Sequence, residues 1–543
     1  MEFNLADVFE AIARALPDQD AIVWGDRRWT YRELDERTNR LADVLHGAGH
    51  GARSDREGLG GHESHQDHLA VYLYNGNEYL EAMLGAFKAR VAPFNVNYRY
   101  VEEELLHLLD SCQADVIVFD SRFAETLAAV LPDLPRLRTL IQVGEGPLLP
   151  GAIAYEDALA AARTSPPPVE RSPDDLYILC TGGTTGMPKG VLWRQADIFM
   201  GSMGGRDLTS GVEKQSMDEI VEGARASGGA KVLPAPPFMH GAAQWVAFSA
   251  FNGGSTIVIQ DDVVRLDPAD LWSTVDRHGV NILLIVGDAF GRPLVEELER
   301  GGHDGSSLLV VVSGGAPLNA GLKDRLLAAL PSAMILDAVG ASETGSQMSH
   351  VSAAGASAST GRFTPGPSAA VVSADLTTVL EPGHDGDGWL AQRGRVPLGY
   401  LGDADKTART FPVIDGTRYA VPGDRARLTA EGQIELFGRD SVTINSGGEK
   451  IFAEEVEQAL AHHPDVFDVV VAGRPSEQWG SEVVAIVQLR DGADVDEDGL
   501  RSEAARHVAR YKLPKAFVFV DAVVRSPAGK ADYRWAKEQA VSA

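Results

Sequence analysis

The sequence is poor in cysteine, in basic charge and in long apolar runs. Cys112 and Cys180 are its two cysteines, far apart in the chain. So few exclude a disulfide framework and any all-cysteine zinc site. Lys and Arg number 49 against 77 Asp and Glu, for a net charge of −28. That balance argues against nonspecific nucleic-acid binding, which needs a basic surface, and favours solubility. No apolar stretch approaches the length of a membrane span. The start, "MEFNLADVFEAIARALPDQD", has no basic head followed by an apolar core, so no signal peptide is expected. The expectation is a cytoplasmic, reduced, soluble protein. Its oligomeric state is left open, a homodimer included.

What is present is an ordinary globular composition, 44% hydrophobic and 23% charged, over 543 residues. That length suggests about two to four domains. Short apolar runs recur between helical patterns: "LAVYLYN" (69–75), "ADVIVFD" (114–120), "TLIQVG" (139–144), "LYILC" (176–180), "STIVIQ" (255–260), "NILLIVG" (281–287) and "LLVVVSGG" (308–315). They are apolar on both alternating faces, as suits strands of largely parallel sheets covered by helices. "NEYLEAMLGAFKA" and "VEEELLHLLDS" read as helices, "ARTSPPPVERSPDD" (162–175) as a surface connection and "SAAGASASTG" (352–361) as a loop. After Gly438 a second unit begins with helical "AEEVEQALAHH" and strand-like "VFDVVVAG", "EVVAIVQLR" and "KAFVFVDAV". The fold class is α/β: a large multi-sheet body over 1–438 and a small α+β cap over 439–543.

Chemistry concentrates first in "CTGGTTGMPKG", Cys180 to Gly190. Glycines let backbone N–H groups approach a phosphate closely, and a lysine adds charge. It is not a Walker A loop, because no hydroxyl follows Lys189. Four further sites accompany it. "GASETG" (340–345) puts Ser342 beside Glu343, a hydroxyl and a carboxylate suited to a phosphate oxygen and a magnesium ion. "VPGDRARL" (421–428) places Asp424 after a glycine, where a carboxylate binds ribose hydroxyls. "GRDSVTINSGGEKI" (438–451) lies at the boundary of the two units, and "SPAGKADYR" (526–534) sets Lys530 beside a glycine. Each alone has a bland reading as a turn or an exposed tail; their order along the chain gives them force.

Together they resemble the adenylate-forming superfamily of acyl-CoA synthetases, luciferases and peptide-synthetase adenylation domains, from "WTYRELDERTNRLADVL" (29–45) to "GKADYRWAK" (529–537). The resemblance implies a two-step reaction. A carboxylate attacks the α-phosphorus of ATP, pyrophosphate leaves and an acyl-adenylate forms; the thiol of coenzyme A then displaces AMP. ATP, magnesium and coenzyme A are implied, and the small unit is expected to rotate between steps.

The roles implied are these. Thr181, Gly182, Gly183, Thr184, Thr185, Gly186 and Lys189 form the phosphate loop. Lys530 bridges the attacking carboxylate and the α-phosphate, Glu343 holds magnesium, and Ser342 contacts phosphate. Asp424 binds ribose and Arg439 the nucleotide. "SGGAPL" (313–318), with Gly315 and Ala316, lines the adenine and acyl sites. His240, in "PFMHGAAQW", lies near the acyl carboxylate or is a core histidine. Ser441 is the hinge. Gly447 and Gly448 line the pantetheine passage or form an ordinary turn.

Two departures stand out. Val339 occupies a position where many relatives carry an aromatic that stacks on adenine. "SDREGLGGHESHQDH" (54–68) reads as a solvated insertion; His62, His65 and His68 recur every three residues but are expected to be dispensable as metal ligands.

"LWR" after the loop and "DYRWAK" after Lys530 are similar to bacterial ligases that activate steroid side-chain acids. The expected substrate is therefore a steroid side-chain carboxylate or a medium-to-long fatty acid. The small residues of "HGAAQW", "VGDAFG" and "SGGAP" would either leave it room or serve close helix–sheet packing, and none of the three runs carries a lysine or arginine. Alternative readings are an adenylate-forming enzyme with another acceptor or an aromatic acid, and a nonenzymatic acyl-binding protein on this fold.

Overall fold

The computed structural model describes residues 1–181, 188–207, 210–355, 361–439, 442–446, 449–476, 480–526 and 529–542. Each apolar run read above forms a strand: His68–Tyr72, Ala114–Asp120, Thr139–Val143, Leu176–Thr181, Thr256–Ile259, Ile282–Ile285 and Val310–Gly314. The helical patterns become Asn77–Lys88 and Glu102–Ser111.

The strands assemble, among the described residues, into sheets of fifteen, eight and five. The eight-stranded sheet is parallel through its centre, where His68–Tyr72 pairs with Ala92–Asn95 and Ala114–Asp120. At its other edge Leu176–Thr181, Lys189–Arg194 and Gly399–Tyr400 run antiparallel. The fifteen-stranded sheet is parallel from Asp20–Trp24 to Met334–Ala341, then turns antiparallel at the hairpin with Gly345–Ala353 and stays so to Thr417–Ala420. This second half, between residues 362 and 439, goes beyond the sequence reading. Its strands, such as "TRYA" and "DRARL", are short and mix polar with apolar residues. Ser352 and Ala353, expected in a loop, end the strand Gly345–Ala353.

The principal core lies between the two large sheets. Helices Leu5–Ala15, Tyr31–Gly47, Asn77–Lys88 and Gly241–Asn252 pack Phe9, Leu41, Phe87 and Phe248 against Val71 and Tyr177. Apolar burial at about 25 cal/mol per Å² holds this body together. Lys88 is fully buried on this face and is satisfied by Asp35 Oδ1 at 2.6 Å and Asn39 Oδ1 at 2.7 Å.

The small unit has its own core. Val456 and Leu460 of Ala453–Ala461 pack on Val469, Val471 and Val487. The chain passes from the large sheet, which holds Ile434–Arg439, to the small one, which holds Ile444–Ser446.

The segment 54–68 departs from expectation: its end is buried rather than solvated. His65 and His68 are 2% and 0% exposed. Gln66 accepts from Leu176 N–H and donates to the Arg90 carbonyl, so the segment is stitched to the start of Leu176–Thr181 and to the turn after Asn77–Lys88. His68 sits between the Cys112 carbonyl at 2.6 Å and Ser64 Oγ at 2.7 Å, and burial pulls its pKa down to about 4. Among the described residues, no three His, Cys, Asp or Glu are grouped to hold a metal ion.

Candidate active site

The site lies where ends of the two large sheets meet the small unit. Leu176–Thr181 and Lys189–Arg194 flank the glycine-rich loop expected to bind phosphate, with Thr181 opposite Lys189 in register. Gly182, Gly183, Thr184, Thr185 and Gly186 lie outside the described residues, as do Ser441, Gly447 and Gly448. The near end of the loop is fixed by Asn95. It accepts from Cys180 N–H at 2.8 Å and donates to the carbonyls of Cys180 and Met239 at 2.9 and 2.7 Å. One buried amide thus ties the phosphate loop to the residue before His240. Asn75 holds the same 236–239 segment two residues earlier, accepting from Phe238 N–H at 2.6 Å and donating to the Pro236 carbonyl at 3.1 Å.

His240 caps the helix Gly241–Asn252. Its Nε2 is shielded from solvent and has no hydrogen-bond partner among the described residues. Burial, reinforced by the positive charges of Lys530 and Arg99, pulls its pKa down to about 3. It is therefore a neutral imidazole near pH 7.

Ser342, Glu343 and Thr344 form the tip of the hairpin between Met334–Ala341 and Gly345–Ala353. Four contacts lock that tip. Trp193 Nε1 donates to the Ser342 carbonyl at 2.9 Å, and Tyr400 OH donates to Glu343 Oε1 at 2.6 Å. Thr344 Oγ1 accepts from Ala341 N–H at 2.9 Å, and Ser202 Oγ accepts from Ser346 N–H at 2.9 Å. Gly345 is required here. Its φ is +67°, and a Cβ would stand 2.7 Å from Ser202 Oγ. Glu343 is 8% exposed. A carboxylate beside hydroxyls is a hard oxygen donor set that fits magnesium, which favours oxygen ligands and shares them with phosphates.

Asp424 and Arg439 are Cα partners across adjacent strands. Val339 packs with Met348 and Phe363 in a small apolar cluster.

Lys530 reaches this site from the small unit. Its Cε lies 3.8 Å from where a Cβ on Gly315 would stand. The turn carrying it is held by Gly529 N–H to the Ser526 carbonyl at 2.8 Å and Lys530 N–H to Ser526 Oγ at 3.2 Å. Arg525 anchors the turn, pairing with Asp468 at 2.6 Å and donating to the Gly529 carbonyl at 3.2 Å. Gly529 packs on the helix Gly287–Arg300, where a Cβ would come 2.9 Å from Ala289 Cβ.

A cavity of about 250 Å³ opens beside this turn, with Tyr98, Arg99, Leu266, Phe290 and Arg525 in its wall. Of the three small-residue runs expected around an acyl group, Ala289 and Phe290 alone line it. The volume argument from those runs is corrected by their packing. A Cβ on Gly241 would stand 2.7 Å from Leu179 Cδ2, on Gly287 2.3 Å from the Pro317 carbonyl oxygen, and on Gly291 2.6 Å from Leu318 Cδ1. Gly241 thus lets its helix pack closely on a strand, and Gly287 and Gly291 let theirs pack closely on the 317–318 loop.

The supporting roles of Asn75, Asn95, Trp193, Tyr400 and the Arg525–Asp468 pair are absent from the sequence reading, although Trp193 lies in "LWR" and Asn75 ends "LAVYLYN". Each acts on a residue distant in sequence, so no local motif marks it.

At the junction of the units, Gly438 has φ +103°, and a Cβ there would lie 2.0 Å from Glu454 Oε2. Gly438→Ala adds backbone strain and a clash at the contact that seats the small unit. Pyrophosphate release from acid and ATP is expected to fall about tenfold, equivalent to ~1.4 kcal/mol. An unchanged rate would show that this contact does not matter.

Residues 9–401 match the model of the AMP-binding enzyme family and 455–530 that of the AMP-binding enzyme C-terminal domain. The chain belongs to the AMP-binding enzyme family. It is 58% identical over 543 residues to the medium-chain acyl-CoA ligase Mig of Mycobacterium avium, covering 99% of this chain and 98% of that one. It is 40% identical, over 99% of this chain and 96% of the relative, to a medium/long-chain-fatty-acid and 3-oxocholest-4-en-26-oate CoA ligase of Mycobacterium tuberculosis. The anthranilate CoA ligase AuaEII in complex with anthranoyl-AMP shares the fold, with TM-score 0.82 at 21% identity over 100% of this chain and 98% of that one. The protein is an AMP-forming acid–thiol ligase whose co-substrates are ATP, as its magnesium complex, and coenzyme A. No helix among the described residues is long and apolar enough to cross a membrane.

Proposed function

We propose that this ligase activates a medium- to long-chain fatty acid through an acyl-adenylate held between the body, 1–438, and the cap, 439–543. The observation that carries the reading is Lys530 of the cap lying against Gly315 of the body. An ammonium placed there serves the first step, in which a carboxylate approaches an anionic triphosphate and needs a cation between the two.

In that step the acid's carboxylate oxygen bonds to the α-phosphorus as the bond to pyrophosphate breaks. Lys530 draws the two reactants together, Lys189 and the loop hydroxyls hold the outer phosphates, and Ser342 contacts one of them. Asp424 and Arg439 orient the ribose and nucleotide, and Gly315 and Ala316 bound the adenine. Magnesium, held at Glu343, supplies neutralising charge to the phosphates. Neutral His240 faces the acyl carboxylate without adding charge. In the second step the cap turns about Ser441, the thiol reaches the acyl carbon past Gly447 and Gly448, the acyl–oxygen bond breaks and AMP leaves. A cytoplasmic location belongs to this reading because ATP and coenzyme A are the co-substrates.

The acid is assigned from the 58% identity to a medium-chain ligase. A steroid side-chain acid is the second reading, favoured by the Mycobacterium tuberculosis relative whose name includes 3-oxocholest-4-en-26-oate. Specificity constants for octanoate, palmitate, a steroid side-chain acid, benzoate and acetate test both. Each buried methylene contributes about 0.8 kcal/mol, so octanoate or palmitate is expected to exceed acetate by at least about a hundredfold. Benzoate or acetate ranking first would overturn the substrate while leaving the ligase activity standing.

A further inference from the structure

One four-residue turn, Tyr400 to Asp403, touches both an acidic and a basic group of the phosphate site. Tyr400 is 2% exposed, and its hydroxyl donates to Glu343 Oε1 at 2.6 Å. Asp403 forms an ion pair with Lys189. The turn itself is held from three sides. Leu401 N–H donates to the Gly190 carbonyl at 2.9 Å. Tyr400 N–H donates to Thr407 Oγ1 at 2.9 Å, and Thr407 Oγ1 donates to the Asp403 carbonyl at 2.6 Å. Lys406 Nζ sits 4.0 Å over the Tyr400 ring.

Strand pairing explains how a phenol from this segment reaches the hairpin. Gly399–Tyr400 pairs with Lys189–Arg194, Tyr400 standing opposite Val191. That strand also carries Trp193, whose indole holds the Ser342 carbonyl. The edge of the eight-stranded sheet thus grips the hairpin of the fifteen-stranded sheet at two adjacent residues.

We propose that Tyr400 is a positioning residue for the nucleotide: its hydroxyl fixes one oxygen of Glu343 so that the other is presented to the magnesium of Mg·ATP. The proposal rests on the reading of Glu343 as the magnesium ligand. A carboxylate free to rotate presents its oxygens at variable angles, and magnesium demands near-octahedral geometry. A partner that orients a metal ligand is commonly worth ten- to a hundredfold in affinity.

The test is calorimetric binding of ATP, without acid, to the full-length protein with and without magnesium. Tyr400→Phe removes one oxygen and keeps the ring. It is expected to weaken Mg·ATP binding about tenfold or more and to leave binding of ATP in chelator unchanged. Glu343→Gln is expected to lose most of the magnesium-dependent affinity, and adding Tyr400→Phe to it is expected to change nothing further, since both act through one carboxylate. Equal weakening with and without magnesium would mark Tyr400 as merely structural and overturn the proposal. So would a full additional loss in the double variant. Unchanged Mg·ATP binding by Tyr400→Phe alone overturns the positioning role but spares Glu343. Unchanged magnesium dependence in Glu343→Gln overturns the Glu343 assignment and the proposal with it.

Discussion

Lys530→Ala is expected to lower pyrophosphate release from acid and ATP by about a hundredfold or more, while thioester formation from supplied acyl-adenylate and coenzyme A keeps most of its rate. The magnitude is that of removing one charge-stabilising group from a preorganised site. The asymmetry follows from geometry. The lysine side chain lies against Gly315 in the arrangement of this structure, on a turn held by Ser526 and by Arg525 paired with Asp468. A cap that turns between steps carries the lysine away from that position, so one residue serves one step. Measuring the two half-reactions separately checks it. Equal loss in both would remove Lys530 from its assigned role.

Glu343→Ala is expected to have the next largest effect. It removes the carboxylate at the tip of the 341–345 hairpin and with it the hydrogen bond that the Tyr400 hydroxyl donates there. A lost intramolecular hydrogen bond costs about 0.5–1.5 kcal/mol, so some stability is lost as well. Pyrophosphate release is expected to fall by about a hundredfold at ordinary magnesium concentration. The thermal midpoint of the variant, read alongside, separates the two costs. Stability lost with full activity retained would mean that Glu343 supports the hairpin and no more.

The parallel strands were legible because each is a compact, β-branched apolar run buried on both faces, as in "ADVIVFD" and "NILLIVG". The antiparallel half from 362 to 439 was not, because strands such as Val413–Ile414 and Thr417–Ala420 are short and have no period to read. The polar composition of 54–68 suggested a solvated insertion, yet His68 begins a central strand and is held on both ring nitrogens. Hydrophilic composition does not report burial when side chains such as Gln66 and His68 find partners inside the fold. Small-residue runs could be read as room or as close packing, and Gly241, Gly287 and Gly291 mark close contacts.

Site residues carried by contiguous motifs were legible as candidates. The structure sets Lys530 against Gly315 and Asp424 opposite Arg439. Their supports were not legible. Tyr400 reaches Glu343 across 57 residues, and Asn95 reaches Met239 across 144. Such pairs are made by sheet order, which a one-dimensional pattern does not contain.

The most direct test of the central claim, that the acid is activated as an adenylate, follows the oxygen atoms. Octanoate labelled with oxygen-18 in its carboxylate is incubated with the enzyme, ATP, magnesium and coenzyme A, and the products are weighed by mass spectrometry. The acid's oxygen bonds to the α-phosphorus, and the acyl–oxygen bond breaks when the thiol attacks, so AMP is expected to carry one oxygen-18 atom per octanoyl-CoA formed. Unlabelled AMP, or label found in inorganic phosphate beside ADP, would contradict the account.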